Sequence, residues 1–319
     1  MIWVTWRQHR IEALIGGLVL VLIIPLLLVT GLNLASAYQQ TGVAACIAQH
    51  ATCLGAKRAF QEYFYAGLVD IIWLNVLPLL VGMFVGAPLV ARELEQGTYR
   101  LAWTQSITRL RWLAVKLSLL SSATLLAFVV LAILMTWWSS PVVSALGPWQ
   151  TYDLQGPVLL AYALFALVLG ITVGSLIRRS VPAMAITFAG FVLLRLTVEF
   201  LLRPYFLPPL SHTWPFGQPD PRSYVGDFVV NQGIVDRMGR QLSYNDVSQL
   251  CLSGVGAKGS LGPLQALAQC AHDHGILSVG FYQPADRFWL FQGLETTIFL
   301  VLTVALVALT IWWIRRRIA

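Results

Sequence analysis

Six long stretches of this sequence are almost free of charge, and each is long enough to cross a lipid bilayer. They are residues 13–34, 67–91, 117–138, 157–177, 181–202 and 288–314. A helix rises about 1.5 Å per residue and the hydrocarbon core is about 30 Å thick, so about 20 residues cross it. The crossing segments must be helices, because the bilayer offers no partner for a free backbone N–H or C=O. The sequence therefore predicts an all-α membrane protein with six transmembrane helices.

The composition agrees with this class, and the positions of the charges predict an orientation. The chain has 319 residues, of which 57% are hydrophobic and 11% are charged. The net charge of +7 is typical of nucleic-acid binding, but the basic residues of the helix ends and short loops are concentrated on one side of the predicted membrane. These are Arg7, Arg10, Arg92, Arg100, Arg109, Arg111, Lys116, Arg178, Arg179, Arg315, Arg316 and Arg317. The short loops of the other side carry only Lys57 and Arg58. By the positive-inside rule we expect both termini in the cytoplasm. We therefore predict a multi-pass protein of the cell membrane that contacts membrane lipid and does not bind nucleic acid.

The predicted spans divide the chain into three parts. Residues 1–202 hold five spans, preceded at 1–12 by either a short amphipathic helix or a plain flank of the first span. The first span is about 22 residues long and lacks a small-residue cleavage site, so we expect it to be retained and not cleaved as a signal peptide. Residues 203–287 are rich in Asp, Gly and Pro and predict a small extracytoplasmic domain with short helices at 245–252 and 263–272. Residues 288–319 are the sixth span with a basic cytoplasmic tail.

All four cysteines lie in segments predicted to be outside the cell. Cys46 and Cys53 are in the first outer loop, whereas Cys251 and Cys270 are in the outer domain. Oxidising surroundings favour disulfides, and of the three possible connectivities the two local ones, 46–53 with 251–270, are favoured. Four free thiols are the alternative. Residues 270–274 also have zinc-binding residue types, but a disulfide would use the same cysteine, so we expect no metal site.

The loop between the second and third spans is the only predicted cytoplasmic segment long enough to bind a partner. Gly97 is expected to end the helix of the second span, and Thr98 to cap a short surface helix anchored by Leu101. Thr108 is expected to cap the third span. This arrangement is typical of a membrane subunit that offers a projecting helix to a cytoplasmic protein.

The same segment carries a family resemblance. The stretch ARELEQGTYRLAWTQSITRLRWLAVKL, residues 91–117, resembles the segment after the second span in permease subunits of bacterial type-2 ABC exporters. The opening WVTWRQHR and the order of six helices with a large outer segment before the last are similar to those permeases. The positions that match the family pattern, and to which the resemblance assigns ATPase coupling, are Glu93, Glu95, Gly97, Thr98, Leu101, Arg109 and Lys116.

The resemblance implies a working assembly. Two permease chains would pair as a homodimer or as a heterodimer with a similar permease, and two ABC ATPase subunits would hold residues 92–111 from the cytoplasm. The sequence itself has no G-x-x-x-x-G-K-[ST] phosphate-binding loop. ATP and Mg²⁺ are therefore expected on the partner subunit, with no cofactor and no enzyme activity in this chain.

Four charged residues lie inside or at the edges of the apolar stretches. They are Asp70, Arg195, Glu199 and Glu295, and counting the helix rise places all four in the outer half of the bilayer. A charge within a span needs a partner or water, so we expect an intramembrane polar cluster in which Arg195 can pair with Glu199. The cluster is either an exit gate or substrate contact, or a set of ion pairs that holds the helices together. Gly82-x-x-x-Gly86 and Gly170-x-x-x-Gly174 predict close helix packing, either within the subunit or at a dimer contact.

The predicted function is that of a permease subunit that exports a hydrophobic or amphipathic substrate. Two alternatives remain open from the sequence. One is an ATPase-coupled sensor or immunity module without net transport. The other is an ion-driven secondary carrier, which the lack of charges in the inner half of the spans disfavours.

Overall fold

The computed structural model describes residues 2–49, 53–68, 71–97, 108–220, 222, 226–252 and 263–317. It confirms six apolar helices of membrane-spanning length, here called the first to sixth spans. Their bounds are Leu14–Gln40, Ile72–Gln96, Leu110–Leu146, Pro148–Ile177, Ser180–Tyr205 and Ala285–Arg316. The side of the bundle where the second span ends is called the basic side. The opposite side, which carries the domain between the fifth and sixth spans, is called the domain side.

The first span belongs to a single helix that runs over Ile2–Gln40. For residues 2–12 the choice between an amphipathic helix and a plain flank stays a prediction, but the backbone continues into the span as one helix without a break. The physical reason is that residues 2–15 contain neither glycine nor proline, so nothing interrupts the backbone hydrogen bonds.

The predicted outer loop after the first span is mostly helical. Short helices occupy Val43–Ala48 and Leu54–Leu68. The second of these helices buries Phe60 and Phe64 completely in a core shared with the first and third spans. This aromatic pair packs one face of the helix against the bundle.

The second span changes helix type along its length. It is 3-10 over Ile72–Val76, α over Leu77–Leu80, π over Val81–Gly86 and α over Ala87–Gln96. Both α segments have a proline, Pro78 or Pro88, at their second position, and a proline within a helical span removes one backbone hydrogen bond to the preceding turn. The π turn lies between the two prolines, in the part of the span that faces the fourth span.

The two glycine motifs pack against each other within one chain. A Cβ atom on Gly82 would lie 2.5 Å from the carbonyl oxygen of Ala166, and one on Gly170 would lie 2.2 Å from the carbonyl oxygen of Gly82. Only glycine permits this approach, so these motifs fix the second span against the fourth span. The fourth span is the most buried of the six and contacts the second, third, fifth and sixth spans.

The remaining spans carry irregular segments at their domain-side ends. The third span is part of the helix Arg109–Leu146, and the fourth is a 3-10 segment, Pro148–Leu154, followed by the α-helix Gly156–Ile177. The fifth is α over Ser180–Leu196, π over Thr197–Leu202 and 3-10 over Arg203–Tyr205. The sixth begins with a 3-10 turn and continues as the helix Phe288–Arg317.

A small domain with a β-sheet lies between the fifth and sixth spans. Its strands are β1 (Leu210–Pro215), β2 (Phe228–Val235), β3 (Gln241–Leu242) and β4 (Leu277–Gln283). All pairings are antiparallel in the order β1-β4-β2-β3, with an irregularity in β2 between Val229 and Asn231. The sequence did not predict this sheet. Its short strands are interrupted by glycine and asparagine and give little apolar alternation.

Two helices and a disulfide complete the domain. The helices Tyr244–Leu252 and Pro263–Asp273 confirm the two short helices that the sequence predicts. The first is capped by Ser243, whose hydroxyl accepts the N–H of Asp246 while the Asp246 carboxylate accepts the N–H of Ser243. The hydrogen bond that the Asp246 carboxylate accepts from the Ser243 backbone N–H holds the pKa of that carboxyl below its usual value.

Both predicted disulfides are confirmed. Cys46 pairs with Cys53, and Cys251 pairs with Cys270, with Cα atoms 5.8 and 5.7 Å apart respectively. The second bond joins the two helices of the domain, where Cys251 is buried beside Val247. Because the sulfur of Cys270 is in this bond, it is not a thiolate ligand for a metal.

Candidate functional site

Charged and phenolic side chains meet near the domain-side ends of the spans. They come from the 3-10 segment and the α-helix of the fourth span and from the fifth and sixth spans. The set is here called the charge cluster and consists of Asp153, Tyr162, Arg195, Glu199, Arg203 and Glu295.

Glu295 lies at the centre of the charge cluster and is fully buried. Arg203 binds it through two nitrogens, with Nε 2.9 Å from Oε2 and Nη2 3.0 Å from Oε1. The hydroxyl of Tyr162 donates to the same Oε1. A planar guanidinium matches a carboxylate in this two-point geometry, so the pair has a defined orientation as well as a favourable charge interaction.

Asp153 connects the two arginines of the fifth span. Its Oδ1 lies 2.6 Å from Nη2 of Arg203 and 2.9 Å from Nη2 of Arg195. Arg195 also lies 3.4 Å from Glu295 and 3.8 Å from Glu199. The predicted pairing of Arg195 with Glu199 is thus present, but it is the longest of the ion pairs that Arg195 makes.

Two aromatic rings cover the guanidinium groups. Arg195 lies over the ring of Tyr162 at 4.0 Å, and Arg203 lies over the ring of Tyr152 at 4.3 Å. Such contacts stabilise a cation by about 0.5–2 kcal/mol and more strongly where water is excluded. Both arginines are therefore held between carboxylates and aromatic faces.

The π turn Thr197–Leu202 brings these residues onto one face of the fifth span. Arg195 and Arg203 are eight residues apart, which in a regular α-helix would rotate them by about 80°. The wider π turn between them reduces that rotation, and both side chains reach Asp153 and Glu295. π turns inside α-helices occur frequently at functional sites.

Gln292 extends the polar contacts toward the domain side. It is fully buried, its Oε1 accepts the N–H of Val158 at 3.2 Å, and its Nε2 donates to the carbonyl oxygen of Tyr152 at 2.8 Å. These bonds satisfy backbone groups on both sides of Gly156, which has a positive φ of 73°. The sixth span therefore holds both the 3-10 segment and the start of the fourth span.

The domain rests directly on this region. The rings of Trp149 and Phe228 stack with their centroids 5.4 Å apart. A Cβ atom on Gly147 would lie 2.4 Å from Cα of Gly226, so the two backbones touch. Gln283, at the end of β4, donates to the carbonyl oxygens of Pro204 and Leu207. The domain is thereby joined to the ends of the third, fourth and fifth spans as well as to the sixth.

On the basic side, two carboxylates of the second span hold neighbouring spans. Glu93 forms an ion pair with Lys116 of the third span, whose side chain is 3% exposed and lies over the ring of Trp112. Glu95 Oε2 accepts both the backbone N–H and the hydroxyl of Ser180, at 3.2 and 3.0 Å, at the start of the fifth span. A carboxylate at a helix N-terminus stabilises the helix by about 0.3–1 kcal/mol when exposed.

The predicted coupling residues surround the ends of the segment 98–107. Gly97 ends the helix of the second span with a φ of 71°, and Arg109 is the first residue of the helix of the third span. Thr108 caps that helix by accepting the N–H of Arg111 at 3.3 Å. Thr98, Leu101 and the cluster candidate Asp70 lie outside the described residues.

Sequence reasoning missed half of the charge cluster. Asp153, Tyr162 and Arg203 were not among its predicted members. Arg287, just before the helix of the sixth span, donates to the carbonyl oxygen of Pro208 and to Gln283. One usable signal was that Asp153 is the only acidic residue between the third and fourth spans.

An open groove lies between the third and fourth spans. It has a volume of ≈ 620 Å³ and is almost entirely apolar. Trp137, Ser140 and Pro157 lie along it, and the charge cluster residues do not line it. The groove offers apolar contacts toward the surrounding membrane.

These features define the class of the protein. Six apolar spans, with the ion pair of Arg203 and Glu295 buried between them, make it a multi-pass membrane protein, in keeping with a plasma-membrane location. Residues 17–203, more than half of the chain, match the family model described as ABC-2 membrane transporter related, and the chain belongs to that family. The comparison with curated proteins finds no match, and neither does the comparison with solved structures. Members of this family are generally membrane subunits of transporters whose ABC ATPase is a separate chain.

Proposed function

We propose that this protein is the permease subunit of an ATP-driven ABC exporter. The family match over residues 17–203 carries the proposal. The concentration of arginine on the basic side supports a cytoplasmic location for that side and for both termini. The confirmed disulfides on the domain side agree with this orientation, because disulfides persist in oxidising compartments.

The proposed assembly contains two permease chains and two ABC ATPase subunits. The second permease is either another copy of this chain or a similar protein. ATP and Mg²⁺ bind to the ATPase subunits, since this sequence has no phosphate-binding loop. Residues 92–111 are the proposed ATPase contact. The contacts Glu93–Lys116 and Glu95–Ser180 support it, because they connect the end of the second span, where this segment begins, to the third and fifth spans.

The charge cluster is proposed to close the outer end of the pathway. Its ion pairs join the fourth, fifth and sixth spans at the domain side, so separating these spans must break them. Exposed apolar residues on the spans and the apolar groove suit a hydrophobic or amphipathic substrate. The charge cluster is thus both the structural connection and the proposed gate.

Affinity purification in mild detergent tests the proposal. The tagged protein is expected to retain an ATPase, and the complex is expected to hydrolyse ATP. Arg109→Ala together with Glu93→Gln should lower ATPase retention or separate hydrolysis from transport while the permease stays folded. Absence of any bound ATPase from a well-folded preparation would contradict the proposal and favour an ion-driven carrier.

A sensor or immunity module is the remaining alternative within the same family. It would also retain an ATPase, so net movement of a substrate distinguishes the two. Vesicles containing the complete complex and loaded with fluorescent amphiphiles provide the measurement. ATP-dependent redistribution of a dye across the vesicle membrane supports the exporter, whereas hydrolysis without redistribution of any dye supports the sensor.

A further inference from the structure

The charge cluster contains one more carboxylate than it has guanidinium groups. Its carboxylates belong to Asp153, Glu199 and Glu295, and its guanidinium groups belong to Arg195 and Arg203. When all of these groups are ionised, one negative charge has no positive counterpart inside the cluster. A charge within a membrane span needs a partner or water, because hydrocarbon does not solvate it. The surplus charge therefore favours the binding of a cation.

The distances assign the surplus charge to Glu199. Glu295 is fully buried, and Arg203 binds both of its oxygens. Asp153 lies 2.6 Å from one arginine and 2.9 Å from the other. The carboxylate of Glu199 lies 3.8 Å from Arg195, which is longer than a hydrogen bond, and its side chain is 32% exposed. Of the three carboxylates it is thus the most exposed and the least neutralised.

Glu199 also lies at a membrane depth where an amphiphile places its charged group. The fifth span ends at Tyr205, which is about 9 Å further along the helix. Because the head groups extend about 5–8 Å beyond the hydrocarbon core on each side, the carboxylate lies close to the boundary between them. The side chains beside it on the helix, Leu196, Phe200 and Leu202, are apolar and exposed. A negative charge is therefore presented next to an apolar surface.

An inorganic cation is a poor match for this position. Calcium takes about six to eight oxygen ligands, whereas Glu199 offers two. Within the described part of the chain, no three Asp, Glu, His or Cys side chains are placed to hold a metal ion. An organic cation needs fewer ligands, because carbon groups surround its charge, and those groups can contact the exposed apolar side chains. Phe200 adds an aromatic ring, whose face attracts cations.

We propose that Glu199 binds the charged group of an amphiphilic organic cation, whose apolar part lies against Leu196, Phe200 and Leu202. The bound cation supplies the positive charge that the charge cluster lacks. The inference rests on the proposed function, and it narrows the substrate from a hydrophobic or amphipathic molecule to a cationic amphiphile. An amine or a quaternary ammonium group on an apolar body has this chemistry.

The test measures binding of tetraphenylphosphonium to the purified full-length protein in an uncharged detergent. Tetraphenylborate, an anion of the same shape and similar size, is the control ligand, and equilibrium dialysis measures both. The parent protein is expected to bind the cation and not the anion. Glu199→Gln should weaken cation binding about tenfold, because it removes the charge and keeps the shape of the side chain. Glu62→Gln makes the same change at an exposed carboxylate of the helix Leu54–Leu68 and should bind as the parent does.

A second pair of variants tests the apolar part of the site. Phe200→Ala removes the exposed ring next to Glu199 and should weaken cation binding by about two- to fivefold. Phe188→Ala removes another exposed ring of the same span, nearer to the basic side, and should leave binding unchanged. Thermal unfolding identifies a variant that does not fold, and the other pair of variants then decides.

Three results would overturn the inference. They are equal affinity of Glu199→Gln and the parent for tetraphenylphosphonium, equal affinity of the parent for the cation and the anion, and no binding of the cation to the parent. Addition of phosphatidylethanolamine, whose head group carries an ammonium, then distinguishes the source of the ligand. Displacement of the bound cation would indicate a membrane lipid as the occupant, and retention would indicate a free amphiphile.

Failure of this inference and failure of the proposed function are distinguishable, because the binding measurement needs no ATPase. A protein that binds the cation through Glu199 but retains no ATPase would contradict the proposed function and keep the cation site. A complex that retains its ATPase and moves a dye across the membrane, but whose permease does not bind the cation, would contradict the cation site alone.

Discussion

Among single residues, Arg203 makes the contacts on which the charge cluster most depends. It is almost fully buried and binds both Glu295 and Asp153. Removing one member of a buried ion pair leaves an uncompensated charge and costs about 3–5 kcal/mol. We therefore expect Arg203→Gln to lower the free energy of unfolding by that amount. Arg203→Lys should lose less, because the charge remains while the two-point geometry is lost.

Chemical unfolding in detergent measures the effect, and Arg240→Gln is the matched control. Arg240 pairs with Asp236 in the domain but its side chain is 74% exposed. Exposed pairs contribute about 0–1 kcal/mol, so this variant should unfold nearly as the parent does. Equal decreases in the free energy of unfolding for Arg203→Gln and Arg240→Gln would show that the charge cluster does not stabilise the bundle.

A second residue-scale prediction concerns the partner of Arg195. The distances give Asp153 at 2.9 Å as the closest carboxylate, ahead of Glu199 at 3.8 Å. Arg195→Gln should therefore be rescued in part by Asp153→Asn, since it leaves Asp153 with one arginine, Arg203, in place of two, and the second change removes that excess negative charge. Glu199→Gln should give little rescue. Rescue of equal size by both would mean that the charge is shared over the cluster and not paired as the distances indicate.

The sequence predicted that these charges need partners but not which partners they take. Arg195, Glu199 and Glu295 are conspicuous because each interrupts an apolar stretch. Asp153 and Arg203 lie at the ends of spans, where charged residues are common. They do not interrupt an apolar stretch, so their local sequence does not show that these charges are buried at a cost in free energy. Their roles depend on the 3-10 segment Pro148–Leu154 and the π turn Thr197–Leu202, and no local sequence pattern indicates either turn.

At the scale of elements, the contact of the second with the fourth span depends on glycine. A Cβ atom on Gly170 would lie 2.2 Å from a backbone oxygen of Gly82 and 2.7 Å from the backbone nitrogen of Ala87. Backbone atoms cannot yield as a flexible side chain does, so Gly170→Ala should force the spans apart and destabilise the protein by about 1–3 kcal/mol. Gly293→Ala is the control, because its Cβ would meet nothing within 4 Å. Thermal unfolding of the two variants in one detergent makes the comparison, and equal midpoints would contradict the packing.

The sequence predicted those elements whose length and hydropathy are set by the bilayer. The six spans follow from length and hydropathy alone. The glycine motifs correctly indicated close helix packing but left open whether it lies within the subunit or at a dimer contact, and the structure shows it within the chain. The helix Leu54–Leu68 and strands β1–β4 were not predicted, because they lie outside the membrane and depend on tertiary contacts. Phe60 is an example: its burial depends on the first span lying beside it.

At the scale of the whole molecule, the domain side holds both disulfides and the contacts that join the domain to the helix ends. One disulfide staples the segment after the first span, the other staples the domain, and Gln283 and Phe228 join that domain to the helix ends. The basic side instead has the short contacts of Glu93 and Glu95. The domain therefore joins the spans at one end of the bundle, and the proposed ATPase contact lies at the opposite end.

The orientation of that bundle is open to direct test by thiol labelling of intact cells with a membrane-impermeant maleimide. The native protein should react only after reduction, because Cys46 pairs with Cys53 and Cys251 pairs with Cys270. Leu110→Cys places an exposed thiol at the basic end of the third span, and this thiol should stay unlabelled until the cells are opened. Labelling of Leu110→Cys in intact cells would place the basic side outside and remove the ATPase contact from the proposal. Labelling of the native protein without reductant would show that the disulfides do not form in the cell. The domain side would then lack these two covalent bonds, each of which stabilises a folded protein by about 2–4 kcal/mol.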